Sequence, residues 1–401
     1  MKIILQPRPT ERKYIYDYVA SVNYRNRKKA TRTGSGLSVD KKTAKNRAVY
    51  EALERYFGSL SSNHFNSYPI KTLEKRGINF LNPKWITSFD TNTKRANYRF
   101  IKSGTILEWV KGWSYLKKAI IHVPAFAVFL NYDARKNNKF ARTTSCGLSL
   151  HKTPVAAITH SILELVERDA AMLVWLTKRK VPRIDMSNIH NNRISKLVLN
   201  VKKENLIPMV FLSSIDLNIP SVIAAIYDPK NKIPVITFGL ASDFDINRAI
   251  LKSLEEAIMI RNTLDILKLN GRLRKIKKSD IKCFLDHVKF YSFPSNNRYW
   301  KFLLGSKMYS LSNLVKKYGF ERKLSYTDLI KNFSNKGMEV IAIEIANKYL
   351  KNVKLNCVRV IIKELCQMYP GSGVSPTNKE SIRKRLKNKS INFNNHPHPF
   401  G

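Results

Sequence analysis

The sequence predicts an α+β fold with mixed sheets, flanking helices and an internally repeated strand-to-helix unit. Three segments share one plan, in which Gly-Leu-Ser or Gly-Leu-Ala precedes a polar turn and a helix with a central Glu closely followed by Arg; they span residues 34–58, 145–170 and 238–262. Apolar, β-branched stretches separate these units and predict strands. Strands and helices do not alternate strictly, which favours α+β layers over a doubly wound sheet.

The elements between and after the repeats follow from local composition. Strands are predicted at 219–228, 232–241 and 357–365, where β-branched residues cluster. The Lys-rich pattern of residues 268–335 predicts helices. The composition of residues 371–395 predicts a mobile basic arm. We therefore divide the chain into an N-terminal segment (1–30), a catalytic domain (31–370) and a basic arm with a Pro-rich tail (371–401).

Composition narrows the class of protein. The four cysteines form no C-x-x-C pair, which argues against disulfides and structural zinc and suits a reducing cytoplasm. The longest apolar stretch, residues 119–130, falls short of the roughly 20 residues of a membrane span. We expect a soluble cytoplasmic protein without a membrane partner.

The positive charge has two interpretations. With 72 Lys and Arg against 29 Asp and Glu, the formal net charge of +43 would attract nucleic acid. The charge is spread along the chain, however, and no nucleic-acid-binding motif accompanies it. The drift of codons in an AT-rich genome accounts for such a composition, so a nucleic-acid partner is not expected.

Because carboxylates are scarce, their grouping on helices is informative. Glu residues three apart project from one helix face, which pairs Glu51 with Glu54 and Glu164 with Glu167. On the first helix this pattern also fits a solvated face with ion pairs. The second helix is apolar around most of its circumference, so its polar stripe is buried, and buried carboxylates must be paired or coordinate a metal.

A third helix adds Glu256 and Arg261, so three related helices could bring five carboxylates and three arginines together. Oxygen-rich sites of this kind suit Mg²⁺, which also takes water and substrate phosphates as ligands. Arginine binds phosphate oxygens in a fork. The sequence therefore predicts a nucleotide site, although it contains no phosphate-binding P-loop motif.

These helices resemble the YcaO family of ATP-using enzymes that modify peptide backbones. The resemblance rests on "AVYEALERY" at 48–56, "SCGLSLHKTPVAAITHSILELVERDA" at 145–170, "SLEEAIMIRN" at 253–262 and "NNHPHPFG" at 394–401. It implies a YcaO-like fold, ATP and Mg²⁺ as cofactors, and phosphorylation of a backbone amide oxygen. Attack by Cys, Ser or Thr of a ribosomally made precursor peptide would then give thiazoline or oxazoline.

The resemblance also implies roles for individual residues. Residues of the Mg²⁺ site would be Glu51, Glu54, Glu164, Glu167 and Glu256. Residues that bind the nucleotide would be Ser35, Arg47, Arg55, Arg168 and Arg261. The tail that reaches toward the active site would comprise Pro397, Pro399, Phe400 and Gly401, although a frayed surface terminus is the alternative interpretation.

Five positions depart from the family pattern: Ser35, Arg47, Cys146, Met259 and Gly401. Arg47 could supply the positive charge that Ser35 lacks, whereas Met259 cannot replace the hydrogen bonds of the usual amide. We interpret Cys146 as structural, and His160 as a hydrogen-bonded core residue.

The resemblance implies a stand-alone cyclodehydratase with a ubiquitin-activating-enzyme-like or leader-binding partner and a flavin-dependent dehydrogenase that acts afterwards. Two rival functions stay open. One is ATP-dependent thioamide formation, whose enzymes generally lack the Pro-rich tail. The other is a weakened scaffold or nucleic-acid-binding protein.

Overall fold

The computed structural model describes residues 2–23, 32–60, 65–83, 85, 101–130, 132, 144–187, 189–322, 324–371 and 379–401. Its strands are β1 (Lys2–Pro7), β2 (Tyr16–Asn23), β3 (Arg32–Ser38), β4 (Asn66–Pro69), β5 (Ile106–Ser114), β6 (Ala119–Pro124), β7 (Leu148–His151), β8 (Arg183–Ile184), β9 (Ile207–Leu212), β10 (Ser221–Tyr227), β11 (Ile236–Ser242), β12 (Met308–Tyr309), β13 (Val340–Glu344) and β14 (Asn356–Ile362).

Its α-helices are α1 (Lys41–Gly58), α2 (Ile70–Lys75), α3 (Ala125–Val128), α4 (Pro154–Thr177), α5 (Asn192–Lys203), α6 (Ile246–Leu269), α7 (Phe284–Tyr291), α8 (Leu311–Tyr318), α9 (Tyr326–Asn335), α10 (Lys348–Asn352) and α11 (Lys379–Arg385). Short 3₁₀ helices lie at Lys278–Asp280, Pro294–Tyr299 and Lys301–Gly305. No helix in the described ranges is long and apolar enough to cross a membrane.

The strands form three sheets that are combined with helices, as the predicted α+β fold requires; among the described strands every pairing is antiparallel except that of β8 with β12, so only the second sheet is mixed. One sheet has the order β1-β2-β3, a second β11-β10-β9-β8-β12, and a third β4-β5-β13-β14-β7 with β6 also paired to β5. The strands predicted at 219–228, 232–241 and 357–365 are confirmed as β10, β11 and β14. Strands β1 and β2 belong to the same sheet as β3, so this sheet continues across the domain boundary placed after residue 30.

Each repeated unit passes from a strand into a capped helix: β3 into α1, β7 into α4 and β11 into α6. The side chains of Asp40, Thr153 and Asp245 accept hydrogen bonds from backbone N–H groups in the first turns of these helices, which fixes where each helix begins. In the first and third units the strand lies so close to the following helix that only glycine fits at the contact. A Cβ atom on Gly36 or Gly239 would overlap backbone atoms of that helix.

Helix α4 lies at the centre of the molecule. Its first half packs into an apolar cluster with β14 and α9, and its second half into another cluster with β10 and β11. The residues from Ala170 to Leu176 are all buried. The predicted stripe of Glu164, Glu167 and Arg168 therefore lies within a largely apolar helix, and Asp169 is a further buried polar residue on another face of α4.

The prediction that residues 371–395 form a mobile arm is wrong for the part of this segment that the structure describes after residue 378. Helix α11 and the segment behind it pack against the protein body, with Ile382, Phe393 and Asn394 buried. Residues 372–378 of that arm lie outside the described residues. Contacts of Arg385 and of apolar side chains hold the segment in place. The basic composition of the segment does not indicate these contacts.

Candidate active site

A cavity of about 280 Å³ lies where the three repeated units meet. Glu164 and Glu167 of α4 and Glu256 of α6 line it. Strand β3 contributes Ser35, and α1 contributes Arg47. Elements more than 200 residues apart in the chain thus bring predicted carboxylates and predicted nucleotide-binding residues to one place.

Each repeat orients one glutamate by a hydrogen bond from a backbone N–H group at or beside its glycine. Glu51 accepts from the backbone N–H of Ser35, and Glu256 accepts from that of Leu240. Glu164 accepts from the N–H of Gly147 at 2.9 Å. In all three cases Oε2 is used, which leaves Oε1 of Glu164 and of Glu256 available to a cation. On Glu51 that oxygen already lies 2.6 Å from a nitrogen of Arg55.

The carboxylates are partly buried and repel each other. Burial, followed by the charge of Glu256, raises the pKa of Glu167 to about 8. Burial also raises the pKa values of Glu164 and Glu256, and burial with the charges of Glu164 and Glu51 raises that of Glu54 well above its usual range. A cation favours the ionised form of each group, so the donor set fits a bound metal ion.

Within the described ranges, no three His, Cys, Asp or Glu side chains converge closely enough to hold a metal ion by themselves. A Mg²⁺ ion at Glu164, Glu167 and Glu256 would take water and nucleotide phosphates as its other oxygen ligands, which is the coordination that Mg²⁺ prefers.

Arg168 is the cation placed among these carboxylates. Its nitrogens lie 3.9 Å from Glu164 and 3.6 Å from Glu167. Burial alone would lower the pKa of Arg168, but the surrounding negative groups raise it above the ordinary value. Arg55 lies at the periphery, where it also donates to the carbonyl oxygen of Thr33 at 2.8 Å. The charge on Arg168 is therefore permanent.

The prediction that Arg261 lies with the other arginines at the nucleotide site is wrong. Arg261 is buried, and Nη2 lies 3.8 Å from Asp228, outside the cavity lining. Five residues after Glu256, its side chain leaves α6 about 140° around the helix axis. The sequence pattern aligned Arg261 with the family motif, whereas helical geometry turns it away from Glu256.

Arg47 lines the cavity, but its charge is engaged. It lies 2.5 Å from Glu255 and donates to the carbonyl oxygen of Leu37 at 2.6 Å. Glu255 is almost fully buried and also accepts from the hydroxyl of Ser38 at 2.8 Å. Glu255 is not among the predicted site residues, although a second Glu beside Glu256 on a largely apolar helix could have indicated it.

Two further cations were also missed. Lys252 lines the cavity and lies 2.6 Å from Asp243. Arg359 on β14 is buried and donates to the carbonyl oxygen of Cys146 at 2.6 Å. Arg359 is a charged residue within the apolar sequence of β14, and this feature could have indicated a buried functional cation. Burial raises the pKa of the Cys146 thiol, which fits the structural interpretation of that residue.

Two other predicted positions lie on the cavity wall. Met259 lines the cavity, so its thioether stands where the family pattern has an amide. His160 also lines the cavity and stacks on His151, with ring centroids 4.4 Å apart. The interpretation of His160 as a core residue is wrong, because its side chain lies on the exposed wall.

The predicted tail residues dock next to the carboxylates. Pro397, Pro399 and Phe400 are buried, and the carbonyl oxygen of Gly401 accepts a hydrogen bond from Arg168 at 2.9 Å. Tyr291 donates its hydroxyl to the carbonyl oxygen of Pro397 at 2.6 Å. The alternative of a frayed surface terminus is therefore wrong.

Comparison with known proteins agrees with this fold. Residues 35–366 match the sequence model of the YcaO cyclodehydratases, a family described as binding ATP and Mg²⁺, and the chain belongs to the YcaO family. An uncharacterised protein of Methanothermobacter thermautotrophicus is 24% identical over 197 residues, which are 48% of this chain and 49% of that protein. The match thus spans about half the length of this curated relative.

Solved structures share the fold. A heterocyclase in complex with substrate and cofactor superimposes with a TM-score of 0.76 at 19% identity, covering 99% of this chain and 55% of the heterocyclase. The YcaO protein of Methanopyrus kandleri, bound with AMPPCP and Mg²⁺, gives a TM-score of 0.62 at 15% identity, covering 92% of this chain and 86% of that protein. The predicted family and α+β architecture are confirmed.

Proposed function

We propose that this chain uses ATP to cyclodehydrate Cys, Ser or Thr residues of a ribosomally synthesised precursor peptide, giving thiazolines or oxazolines. The observation that carries the proposal is the convergence of Glu164, Glu167 and Glu256 on one cavity, with Gly401 held beside them on Arg168. Membership of the YcaO family supports ATP and Mg²⁺ as the reactants that this cavity takes.

The reaction requires that a poor leaving group be made a good one. The thiol or hydroxyl adds to the preceding backbone carbonyl, and the resulting oxygen attacks the γ-phosphorus of ATP with release of ADP. Phosphate then leaves with that oxygen and the C=N bond of the azoline forms, so the peptide loses one water. Catalysis of such a transfer is mainly positioning and charge stabilisation.

The residues of the cavity divide these tasks. Glu164, Glu167 and Glu256 would hold Mg²⁺ directly or through water, with Glu51 and Glu54 behind them. Bound Mg²⁺ would shield the phosphate charge. Arg168 would stabilise the transferred phosphoryl group, and Arg47 would contribute at the opposite wall. The buried residues Pro397, Pro399 and Phe400 would hold Gly401 beside Arg168, at the edge of the site where the peptide would react.

A partner protein that binds the leader peptide, similar to ubiquitin-activating enzymes, is part of the proposal, and a flavin-dependent dehydrogenase would oxidise azolines to azoles. Both rest on the family resemblance. Adding the proteins encoded beside this chain to the purified enzyme tests them, since a genuine leader-binding partner should lower the Michaelis constant for the peptide at least tenfold.

The decisive experiment measures phosphate release from Mg-ATP by the purified chain, with and without candidate peptides and partners, together with peptide mass. Cyclodehydration predicts peptide-dependent turnover and a loss of about 18 Da per ring, whereas thioamide formation with sulfide would add about 16 Da. Glu167→Gln should abolish turnover, because it removes a carboxylate at the centre of the cluster. Glu74→Gln, on the exposed face of α2, is the matched control.

Full activity in Glu167→Gln would disprove the site. Salt-sensitive RNA binding without any ATP turnover would instead support the scaffold function.

A further inference from the structure

Residues 385–401, which we name the tail segment, are bound at both ends to consecutive residues of α4. Arg385 donates to the carboxylate of Asp169, and Gly401 accepts from Arg168. Between these points the segment follows α4 to its end, where Asn394 N–H donates to the carbonyl oxygen of Leu176 at 2.7 Å. The segment then returns to the active site.

Arg385 forms the node of this attachment. Nη1 and Nη2 each donate to Asp169 at 2.7 Å. Nε donates to Asp216 at 2.6 Å, and Nη2 donates to its other oxygen at 2.7 Å. The guanidinium thus bridges two carboxylates in paired hydrogen bonds, and a lysine ammonium cannot reproduce this planar geometry.

The node is buried and fully engaged. The side chain of Arg385 is 8% exposed and that of Asp169 only 1%. Asp169 also accepts from the backbone N–H of Cys366 at 2.7 Å, which fixes its carboxylate. Burying an ion pair contributes little net stability, because desolvation offsets the attraction. The effect of such a node is to fix the position of the tail segment relative to α4.

Helical geometry separates the two attachments. Arg168 and Asp169 are adjacent in sequence, so their side chains leave α4 about 100° apart. Arg168 faces Glu164 and Glu167, whereas Asp169 faces α11 and the loop that carries Asp216. The same turn of α4 therefore carries an active-site residue on one side and the attachment of the tail segment on another.

We propose that Arg385, Asp169 and Asp216 are positioning residues that hold the tail segment so that Gly401 stays on Arg168. Their catalytic consequence rests on the proposed function, whereas the attachment itself does not. Loss of the node should free the tail segment and lower the rate of the chemical step, while the carboxylates that receive ATP keep their places.

The first test is hydrogen exchange of the amides between residues 394 and 401 in the full chain. Arg385→Gln should speed their exchange at least tenfold, and Arg385→Lys should give an intermediate rate, because charge remains without the fork. Lys384→Gln is the control, since this exposed neighbour on α11 carries the same charge. Unchanged exchange in Arg385→Gln would overturn the proposal.

Asp216→Asn provides a milder variant if Arg385→Gln does not fold, because Asp216 is partly exposed and only one of the two carboxylates is lost. It should speed exchange about threefold. Exchange in Asp216→Asn equal to that of the wild type, with Arg385→Gln unfolded, would also overturn the proposal.

The second test separates positioning from binding. In Arg385→Gln, kcat for peptide-dependent phosphate release should fall at least tenfold while KM for ATP stays within twofold, with partial rescue in Arg385→Lys. An unchanged kcat with a freed tail would overturn the catalytic consequence. If the wild type shows no turnover with any peptide, the proposed function fails, and the exchange rates still decide the attachment.

Discussion

Arg168 donates a hydrogen bond to the carbonyl oxygen of Gly401 at 2.9 Å, across 233 residues of sequence. The same guanidinium lies 3.6 Å from Glu167. Arg168 therefore contacts both the backbone of the tail and the carboxylate cluster. This contact connects the Pro-rich tail, which the sequence pattern singled out, with the glutamates that it singled out independently.

Binding of Mg-ATP at pH 7 should release protons. The pKa of Glu167 is about 8, so this carboxyl is mostly protonated before a cation binds, and the cation favours its ionised form. Calorimetry in buffers of different ionisation enthalpy should show release of about one proton or more at pH 7, declining as the pH rises beyond 8.

Glu167→Gln should lower this release, and Glu74→Gln should leave it unchanged. A binding enthalpy that is independent of the buffer at pH 7 would contradict the prediction.

Arg47→Gln should raise KM for ATP about tenfold. Arg47 lines the cavity at the wall where the family pattern has a small residue, and Ser35 supplies no charge there. Steady-state phosphate release measures the constant. The double variant Ser35→Lys/Arg47→Ala is the informative companion, because restored affinity would show that the position of the charge is interchangeable. An unchanged KM in Arg47→Gln would disprove the compensation.

Arg261→Gln should affect stability and leave ATP binding intact. Arg261 is buried with Nη2 3.8 Å from Asp228, and Asp228 also accepts from the backbone N–H of Lys230 at 2.8 Å, so loss of Arg261 weakens the environment of this carboxylate and should cost about 1 kcal/mol. Urea unfolding measures the stability, and KM for ATP should stay within twofold. A large rise in KM with normal stability would restore Arg261 to the phosphate site that the family pattern implied.

Acid should destabilise the region that holds the tail. The rings of His287 and His398 stack with centroids 3.9 Å apart, and both are fully buried. Burial lowers the pKa of His287 to about 4 and that of His398 well below its usual value. At His287 the unfolded chain therefore binds more protons than the folded chain below pH 6.5, so the contribution of this residue to stability should fall by about 3 kcal/mol between pH 6.5 and about 4. Glu167, whose pKa burial raises to about 8, contributes in the opposite direction, so the effect is measured as the difference between the wild type and a His287 variant.

Thermal unfolding across this pH range checks the effect. His287→Gln should remove this loss, so the difference in melting temperature between the wild type and His287→Gln should change as the pH falls, whereas His190→Gln, at an exposed position, should show no such change. A difference between the wild type and His287→Gln that is the same at pH 7 and pH 5 would count against the buried neutral pair.

Gly36→Ala should destabilise the first repeated unit. A Cβ atom there would overlap the carbonyl oxygen of Ala44 and the backbone nitrogen of Ala48, so α1 would have to move away from β3. We expect a loss of about 2–3 kcal/mol in urea unfolding. Gly104→Ala is the control, because no atom lies within 4 Å of a Cβ at that position. Equal stability of the two variants would mean that the close approach is unimportant.

Much of the fold and half of the site could be predicted from local patterns. The repeated Gly-Leu units mark three strand-to-helix passages, since a glycine packed on a helix and a capping Asp or Thr act within one unit. Spacing of three residues places Glu164 and Glu167 on one face of α4. These features depend on helix geometry and burial, which a sequence carries directly.

The sequence by itself thus determined the family, the repeated units and the carboxylates that meet at the cavity. Only the tertiary structure decided the partners of the cations: Arg261 with Asp228, Arg47 with Glu255, Arg385 with Asp169 and Arg168 with Gly401. A long charged side chain takes its partner from whichever carboxylate or carbonyl the packing brings within reach. That choice depends on contacts between segments distant in sequence, which no local spacing encodes.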